Sequence, residues 1–559
     1  MGLLGIVRKM IKNYQKGKEM NKFMERTTIG SVMRGICYGF AALLFAASCA
    51  NDDVAQDEKQ KKDNIPAGTT VFTGTSQPDA TTRTAILKHT KGAGAFVNWS
   101  STDKIWVSLY GINWYQSGTV TFPSATNKAQ GMFALPGVYS DASYDILYTN
   151  KDVTGTQPQV EIKADQTQSA PNNFDHAGES GDFGIATANK VGSNYKFTLN
   201  HKAAYLCFIP RSSNPYVNRS KLIKVEIMSD DDIAGIYNIA TNGALTLYSG
   251  DSKTITVTTG SGFDIDNAAD DMSKNATYAV VAPGTHTFRI RYWLRNTTDT
   301  PDGRPIEGTV SKIVTLNCTA GSIHDITANL NPRDYDGTKY YMWDAQQNYW
   351  HGYEWTKHLP GNTGQPTVNG GTSPNFVMYG SASNPRWYNE SYPGYGISNP
   401  AIHSCKDLPN ANELSWYCMY GDPRWDKDEL WTTMGHLYKG GMWFKKKSVL
   451  QAEHHYDTEK SADGTTDMRT TDKRYNNGNV SRINSGLSSA ADANNYFYLP
   501  ALGYYEYGQL VRVGFGCCYW ASSASTWFSR EAYSLEFDPG SVYVYNYYRY
   551  FGCRSDWFD

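Results

Sequence analysis

The sequence has few charged residues and no long basic run. Asp, Glu, Lys and Arg make up 19% of its 559 residues, and the net charge is −2. Beyond the N-terminal segment, the longest basic run is Lys445-Lys446-Lys447. Proteins that bind nucleic acid concentrate basic residues on one surface. The composition therefore argues against nucleic acid as a partner.

Motifs of common enzyme classes are also lacking. The sequence has no GxSxG, HExxH, P-loop or dinucleotide-binding fingerprint, and its nine cysteines include no CxxC pair. The carboxylates between Asp422 and Glu429 are interleaved with Arg424 and Lys427, which would oppose a cation. We expect these carboxylates on a solvated helix or loop face, and we predict no catalytic residue, metal site or cofactor.

The N-terminal segment has the order of a secretory signal. Basic residues up to Arg34 precede a short apolar run, Ile36–Ala47, which falls short of the ~20 residues that a membrane-spanning helix needs. Small residues directly before Cys49 resemble a bacterial lipoprotein signal, which implies that Cys49 is lipidated. An uncleaved anchor is the alternative.

A charged segment with almost no large apolar residues follows the signal. We predict a signal peptide over residues 1–48 and a flexible tether over residues 49–66, because such a composition cannot bury a core. Asp52 and Asp53 resemble the acidic signal that directs lipoproteins of Bacteroides-like bacteria to the cell surface.

Short alternating segments separated by turn residues occupy the chain from Val71 to Pro332. This pattern predicts two antiparallel β-sandwiches, over residues 67–190 and 191–335. Predicted strands include Tyr195–Leu199, Leu222–Ile227, Thr254–Thr258 and Phe288–Tyr292.

Motifs in this half resemble the fimbrillin (Mfa-like) family of Bacteroidales pilus proteins. The resemblance implies transthyretin-like sandwiches, a lipidated precursor and assembly with other fimbrial subunits by strand donation. The motifs are Val71–Ala85, Phe96–Trp99, Asp103–Val107, Phe197–His201 and Ala203–Phe208.

Composition changes after the turn-rich connector Asn331–Gly337. Most of the tryptophans and more than half of the tyrosines lie in the part of the chain that follows it. This shift predicts a third domain, residues 338–559. Asn410 and Glu413 have the spacing of a helix capping box. The polar span Gln451–Asp492 predicts a long surface loop.

Motifs of this third domain resemble the Fibrobacter succinogenes major paralogous (FISUMP) domain. The resemblance implies an α+β, C-type-lectin-like fold, related to formylglycine-generating enzymes and in some members diversified by retroelements. The expected chain is mainly β, with two transthyretin-like antiparallel β-sandwich domains followed by the lectin-like domain. The motifs are Leu408–Leu414, Gly440–Phe444, Phe497–Gly503, Tyr519–Ser523, Ala532–Leu535 and Gly552–Arg554.

Valines and tyrosines alternate over Ser541–Tyr547, so the valines can pack inward while the tyrosines line the other face. Tyrosine, serine, glycine and asparagine are typical of binding loops. The alternative is that the tyrosines pack under a covering element. The predicted ligand-binding residues are Tyr504, Tyr505, Tyr507, Trp527, Tyr543, Tyr545, Asn546, Tyr547, Tyr548, Arg549 and Tyr550.

Five cysteines lie in the last third of the chain, which allows one or two disulfides of undetermined pairing. An oxidase of the formylglycine type would use Cys517 and Cys518 as a redox pair. Adjacent cysteines rarely bond each other, so we expect this pair to be buried or bonded elsewhere.

These features predict a lipoprotein adhesin of the fimbrium, at the pilus tip and exposed on the cell outer membrane, that binds a protein or glycan. A purely structural pilus subunit and a formylglycine-type surface enzyme are the alternatives. The enzyme alternative requires a reactive thiol in a cleft.

Replacing Cys49 with serine should abolish labelling by a radioactive fatty acid and leave the precursor unprocessed, because a serine hydroxyl cannot take the place of the thiol. Unchanged labelling of the Cys49→Ser protein would contradict lipidation at this residue.

Overall fold

The computed structural model describes residues 68–76, 85–87, 89–93, 95–125, 128–298, 304–358, 377, 383–392, 398–479 and 483–556. The signal segment, Cys49 and the tether fall outside these residues. Among the described residues, no helix combines the length and apolar character that a membrane crossing requires.

The chain is mainly β, as the sequence predicts. All four segments named above as strands lie within strands of the structure: β12, β14, β17 and β19. In chain order, the strands up to the connector are β1 Thr69–Ser76, β2 Ala85–Leu87, β3 Phe96–Asn98, β4 Trp106–Leu109, β5 Asn113–Gln116, β6 Gln130–Pro136, β7 Ser143–Tyr148, β8 Gln159–Ile162, β9 Asp165–Thr167, β10 Asn173–Phe174, β11 Gly184–Val191, β12 Asn194–His201, β13 Ala204–Arg211, β14 Lys221–Ser229, β15 Ala234–Ile239, β16 Leu245–Ser252, β17 Thr254–Asp264, β18 Thr277–Val281, β19 Gly284–Asn296, β20 Ile306–Cys318, β21 Ile323–Asn329 and β22 Arg333–Tyr335.

The remaining strands and the helices complete the described elements. The strands are β23 Tyr340–Tyr341, β24 Arg424–Thr433, β25 His436–Lys445, β26 Tyr475–Asn476, β27 Asn484–Ser485, β28 Tyr496–Pro500, β29 Tyr504–Glu506, β30 Gln509–Val511, β31 Cys517–Ala524, β32 Glu531–Asp538, β33 Ser541–Tyr548 and β34 Cys553–Arg554. The α-helices are α1 Ala177–Ser180, α2 Met272–Asn275, α3 Ala411–Tyr420 and α4 Lys447–Ala452, and 3-10 helices span Val217–Arg219, Glu354–His358, Asn477–Asn479 and Ala491–Asn495.

The first large sheet has the strand order β5-β4-β7-β11-β12-β1-β6 and is antiparallel except where β1 pairs with β12. Along β12 the side chains alternate strictly between buried and exposed. The buried face of β12 includes Tyr195, whose ring stacks on Phe72 at 4.7 Å between centroids. One face of the sheet therefore carries a core of its own, as the period of two predicts.

A second core lies between the sheet β18-β13-β21 and the long antiparallel strands β14, β17, β19 and β20. β13 is buried over nearly its whole length, and its parallel partner β21 lies on one side of it. The core also includes Leu430 and Leu437 from β24 and β25, which follow the connector.

The capping box is confirmed at the start of α3. The Asn410 side chain accepts from the Glu413 N–H at 3.1 Å, and the Glu413 carboxylate accepts from the Asn410 N–H at 2.8 Å. Leu414 and Tyr417 are both buried. The predicted inward face of this helix is therefore present.

The prediction of a long surface loop over Gln451–Asp492 is wrong in part. The span is irregular, yet it buries Ser461 and Met468 completely. Polar side chains of α3 satisfy its backbone: the Met468 N–H donates to Asn412 Oδ1 at 2.8 Å, and Trp416 Nε1 donates to the Lys460 carbonyl at 2.8 Å. A segment with few apolar residues is thus held by hydrogen bonds that its own composition does not reveal.

The expected solvated face between Asp422 and Glu429 is also wrong in part, because Asp426 and Glu429 lie on β24 and contact the strands before the connector. β24 pairs in parallel with β20 at Thr309 and Glu429. A Cβ on Gly308 would lie 2.5 Å from the Asp428 carbonyl oxygen, so only glycine permits this approach. One sheet therefore continues across the connector, within a single compact unit, Pro66–Asp559.

Buried charges pair across this junction. Arg291 Nη2 on β19 donates to Asp426 Oδ1 at 2.9 Å, and both residues are buried. Glu429 accepts from Ser311 Oγ at 2.6 Å and from Thr309 Oγ1 at 3.0 Å. The pairing of β24 with β25 shifts register between Asp426 and Leu430, and this bulge directs the carboxylates toward β19 and β20. The division into three domains stays a prediction.

Burial, and then the neighbouring Asp426 charge, raise the pKa of Glu429 to about 7 from 4.5. The folded state holds this proton more tightly than the unfolded chain does. Protonated Glu429 therefore contributes its full stabilisation of the folded state below pH 4.5, and this stabilisation is lost as pH rises toward 7. Between pH 5 and pH 8, wild-type stability should fall by about 1–2 kcal/mol more than that of Glu429→Gln. Chemical denaturation at several pH values measures the difference.

Glu307→Gln is the matched control, because the Glu307 side chain is 44% exposed and pairs with Arg295. The stability of Glu307→Gln should depend on pH as the stability of the wild type does. If the stability of Glu429→Gln shows that same pH dependence, Glu429 titrates normally in the folded protein.

Candidate functional site

The alternation predicted for Ser541–Tyr547 is present on β33. Val542 and Val544 are fully buried, whereas Tyr543, Tyr545 and Tyr547 are partly exposed. The rings of Tyr543 and Tyr545 lie 5.0 Å apart. β33 runs between β32 and β26, so backbone pairing on both sides fixes the direction of its tyrosines.

Tyr504 and Tyr505 do not lie at the surface, contrary to the prediction. Tyr505 is fully buried and stacks on Tyr349 at 5.1 Å, with the Trp350 ring at 4.8 Å. Tyr504, which is 6% exposed, packs on Tyr547 at 5.7 Å. Both faces of β29 are therefore covered, and Tyr505 is a core residue.

Arg549 is also fully buried, so it cannot be a surface contact as predicted. Its Nη1 donates to the Asn389 carbonyl at 2.7 Å, its Nε donates to the Glu531 carbonyl at 2.9 Å, and its guanidinium lies 4.5 Å from the Trp343 ring centre. Burial lowers the pKa of Arg549 to about 10. The side chain fastens the segment around Asn389 beneath β33.

Six aromatic rings form one cluster at the C-terminal end of β33 and in the residues that follow it, and we call it the Phe551 cluster. The Phe551 ring lies 4.8 Å from Tyr547, 4.9 Å from Tyr550 and 6.1 Å from Tyr507. Phe551 itself is 5% exposed, whereas Tyr507 is 50% and Tyr548 is 46% exposed. The members are Tyr504, Tyr507, Tyr547, Tyr548, Tyr550 and Phe551.

The other two predicted residues lie in different surroundings. Asn546 Nδ2 donates to Asp472 Oδ1 at 2.8 Å and so ties β33 to the segment before β26. Trp527 is 47% exposed between β31 and β32, beside the 43% exposed Phe528. The N–H groups of Trp527 and Phe528 both donate to Ser525 Oγ, which shapes this turn.

Phe551 is the residue that sequence reasoning missed. It follows Tyr548 and Tyr550 directly in the chain, and the buried Arg549 lies between those tyrosines. An apolar residue that ends a run of tyrosines is a signal that could have identified the centre of the cluster.

A disulfide joins Cys518 of β31 to Cys553 of β34. Cys517 is a free thiol, and burial raises its pKa to about 12. The prediction that the adjacent cysteines are buried or bonded elsewhere is confirmed, because Cys517 is buried and Cys518 is bonded to Cys553. Cys517 and Cys518 therefore do not form a disulfide with each other.

No protein-family model matches the chain, and no curated protein matches it. Solved structures with partial similarity include a candidate cell adhesion protein of Bacteroides ovatus, with TM-score 0.29 and 14% identity over 47% of this chain and 91% of that one. A candidate cell adhesion protein of Bacteroides uniformis gives TM-score 0.28 and 17% identity over 47% and 93%. The fimbrial anchor protein Mfa2 of Porphyromonas gingivalis gives TM-score 0.22 and 13% identity over 47% and 90%. Similarities of this size establish neither fold nor function.

Tyr505 and Tyr507 offer a matched pair on one hairpin, one buried and one half exposed. Tyr505→Ala should lower the free energy of unfolding by about 3–5 kcal/mol, because it empties a closed aromatic site. Tyr507→Ala should cost less than about 1 kcal/mol. Equal losses in chemical denaturation would contradict the different burial of the two rings.

Proposed function

We propose that this protein is a surface-exposed fimbrial adhesin that binds a protein or glycan ligand through its C-terminal tyrosine face. We define this face as Tyr543 and Tyr545 on β33 together with the exposed rings of the Phe551 cluster, Tyr507 and Tyr548. The observation that carries the proposal is that Tyr507 and Tyr548 stay about half exposed although they pack around a buried ring.

Buried contacts that hold the tyrosine face in place support a role in binding. Val542 and Val544 fix β33 from below, Arg549 fastens the adjoining segment, and the Cys518–Cys553 disulfide ties β34 to β31. Side chains that are held before the ligand arrives lose less conformational entropy on binding. Tyrosine adds a large contact area and a polar hydroxyl with only two side-chain torsions to fix.

The buried position of β34 supports a place at the pilus tip in this proposal. Cys553 and Arg554 are buried, and β34 lies between β23 and β31. A strand enclosed in this way cannot pair with the open sheet edge of a neighbouring subunit. In this proposal the subunit accepts a strand from its neighbour and does not donate β34, an arrangement that favours the pilus tip over the shaft.

The N-terminal segment provides the attachment in this proposal. The lipoprotein-type signal and Cys49 anchor the protein in the outer membrane, and Asp52 and Asp53 direct it to the outer surface. The partly exposed positions on β33 are rich in tyrosine and asparagine, which fits a region diversified by a retroelement in the manner of some FISUMP-like proteins.

The test is a glycan and protein array probed with the purified chain, followed by affinity measurements on its best hit. Tyr548→Ala should weaken binding about thirtyfold, because truncating a central aromatic anchor costs about 2 kcal/mol. Its melting temperature should stay close to that of the wild type.

Tyr248→Ala is the control, since Tyr248 lies on β16 and is 64% exposed. Its affinity should equal that of the wild type. Unchanged binding by Tyr548→Ala, or an equal loss in Tyr248→Ala, would place the ligand site elsewhere.

A further inference from the structure

A histidine, a cysteine and an aspartate meet at the second core. One potential ligand atom from each of His89, Cys207 and Asp325 lies within 4.8 Å of the others. His89 is 3% exposed, and Cys207 is fully buried and free of any disulfide. These residues are separated by more than one hundred positions in the sequence.

The strand register explains why two of these side chains meet. β13 and β21 are parallel, and Cys207 pairs directly with Asp325. Residues opposite each other in a sheet project from the same face. The thiol and the carboxylate are therefore neighbours because of backbone pairing, and their proximity does not depend on flexible side chains.

His89 approaches this pair from the segment that follows β2. Its Nε2 lies 2.8 Å from Asp325 Oδ1, and the Gly92 N–H donates to Asp325 Oδ2 at 2.7 Å. Its Nδ1 is buried and has no hydrogen-bond partner within the described part of the chain. The ring is therefore held at its Nε2 atom by the Asp325 carboxylate.

We propose that His89, Cys207 and Asp325 bind one divalent transition-metal ion of the zinc class. Imidazole nitrogen, thiolate sulfur and carboxylate oxygen are the ligands that zinc takes in proteins, in tetrahedral geometry. Solvent supplies the fourth ligand, because 14% of the Asp325 side chain is exposed. The short His89–Asp325 contact opens to admit the ion between the two groups.

The proton balance of binding is simple. Cys207 releases its thiol proton and forms a metal–sulfur bond. Neutral His89 changes to the tautomer that carries its proton on Nδ1, and it donates the freed Nε2 lone pair to the metal. Asp325 exchanges its hydrogen bond from His89 for a bond to the metal. One proton leaves for each ion bound, and no oxidant or reductant takes part.

The ion would also fasten three segments to one another. His89 precedes β3, Cys207 lies in the buried centre of β13, and Asp325 lies on β21. Metal binding would then stabilise the folded state, because the unfolded chain does not hold these groups together. This role is independent of the tyrosine face. The metal-site proposal and the proposal of ligand binding by the tyrosine face can therefore be tested separately.

The probe is Co²⁺ alone, titrated into the purified full chain under a reductant that does not bind metals. Coordination by a thiolate gives a sulfur-to-cobalt charge-transfer band in the near ultraviolet and tetrahedral bands in the visible. We expect saturation at one equivalent and bleaching when one equivalent of Zn²⁺ is added. A wild-type protein without these bands overturns the proposal.

Matched variants identify the ligands. Cys207→Ser should abolish the charge-transfer band, whereas Cys318→Ser, which alters another buried free cysteine of this half, should retain it. A band that survives in Cys207→Ser overturns the assignment.

Asp325→Asn decides the question if Cys207→Ser fails to fold, since it keeps the shape of the side chain. It should weaken Co²⁺ binding at least tenfold. Wild-type affinity in Asp325→Asn would mean that the three residues form a hydrogen-bonded cluster only.

Discussion

The ion pair between Arg291 and Asp426 constrains how the two halves of the chain fit together. Burying either charge alone would cost several kcal/mol, so each residue requires the other in place. Glu429 adds a second set of contacts, to Ser311 and Thr309 on β20. The irregular β24–β25 register between Asp426 and Leu430 and the close approach at Gly308 lie at the same junction. These contacts join the aromatic half of the chain to a sheet edge of the preceding half.

Local patterns in the sequence correctly predict elements that are stabilised by contacts between residues close together in the chain. The period of two predicts the buried faces of β12 and β33, and the Asn410–Glu413 spacing predicts the start of α3. The junction could not be predicted in this way. Arg291 and Asp426 are 135 positions apart, and a carboxylate beside Arg424 and Lys427 looks solvated until its distant partner is known. The same limit applies to His89, Cys207 and Asp325, which no spacing rule connects.

The tyrosine face shows the same limit of sequence-based prediction for single residues. Alternation correctly separates Val544 from Tyr545, because each strand residue points to one of two faces. It does not say whether a face is covered, and this is why Tyr505 and Arg549 were misplaced. Tyr505 and Tyr507 have similar neighbours in the sequence. The rings that cover Tyr505, a stacked Tyr349 and an edge-on Trp350, come from a segment about 150 residues earlier.

The division between covered and uncovered positions has a consequence for how such a face could vary. Val542, Val544, Arg549 and the Cys518–Cys553 disulfide hold the strands, and each is buried. Tyr543 and Tyr545 are partly exposed and Tyr548 is 46% exposed, so exchanging these three side chains leaves the buried contacts of Val542 and Val544 intact. A substitution there changes what the surface can contact at small cost in stability. The same alternation that lets β33 fold thus separates the residues that must stay from those that are free to change, and this separation is what a variable binding surface requires.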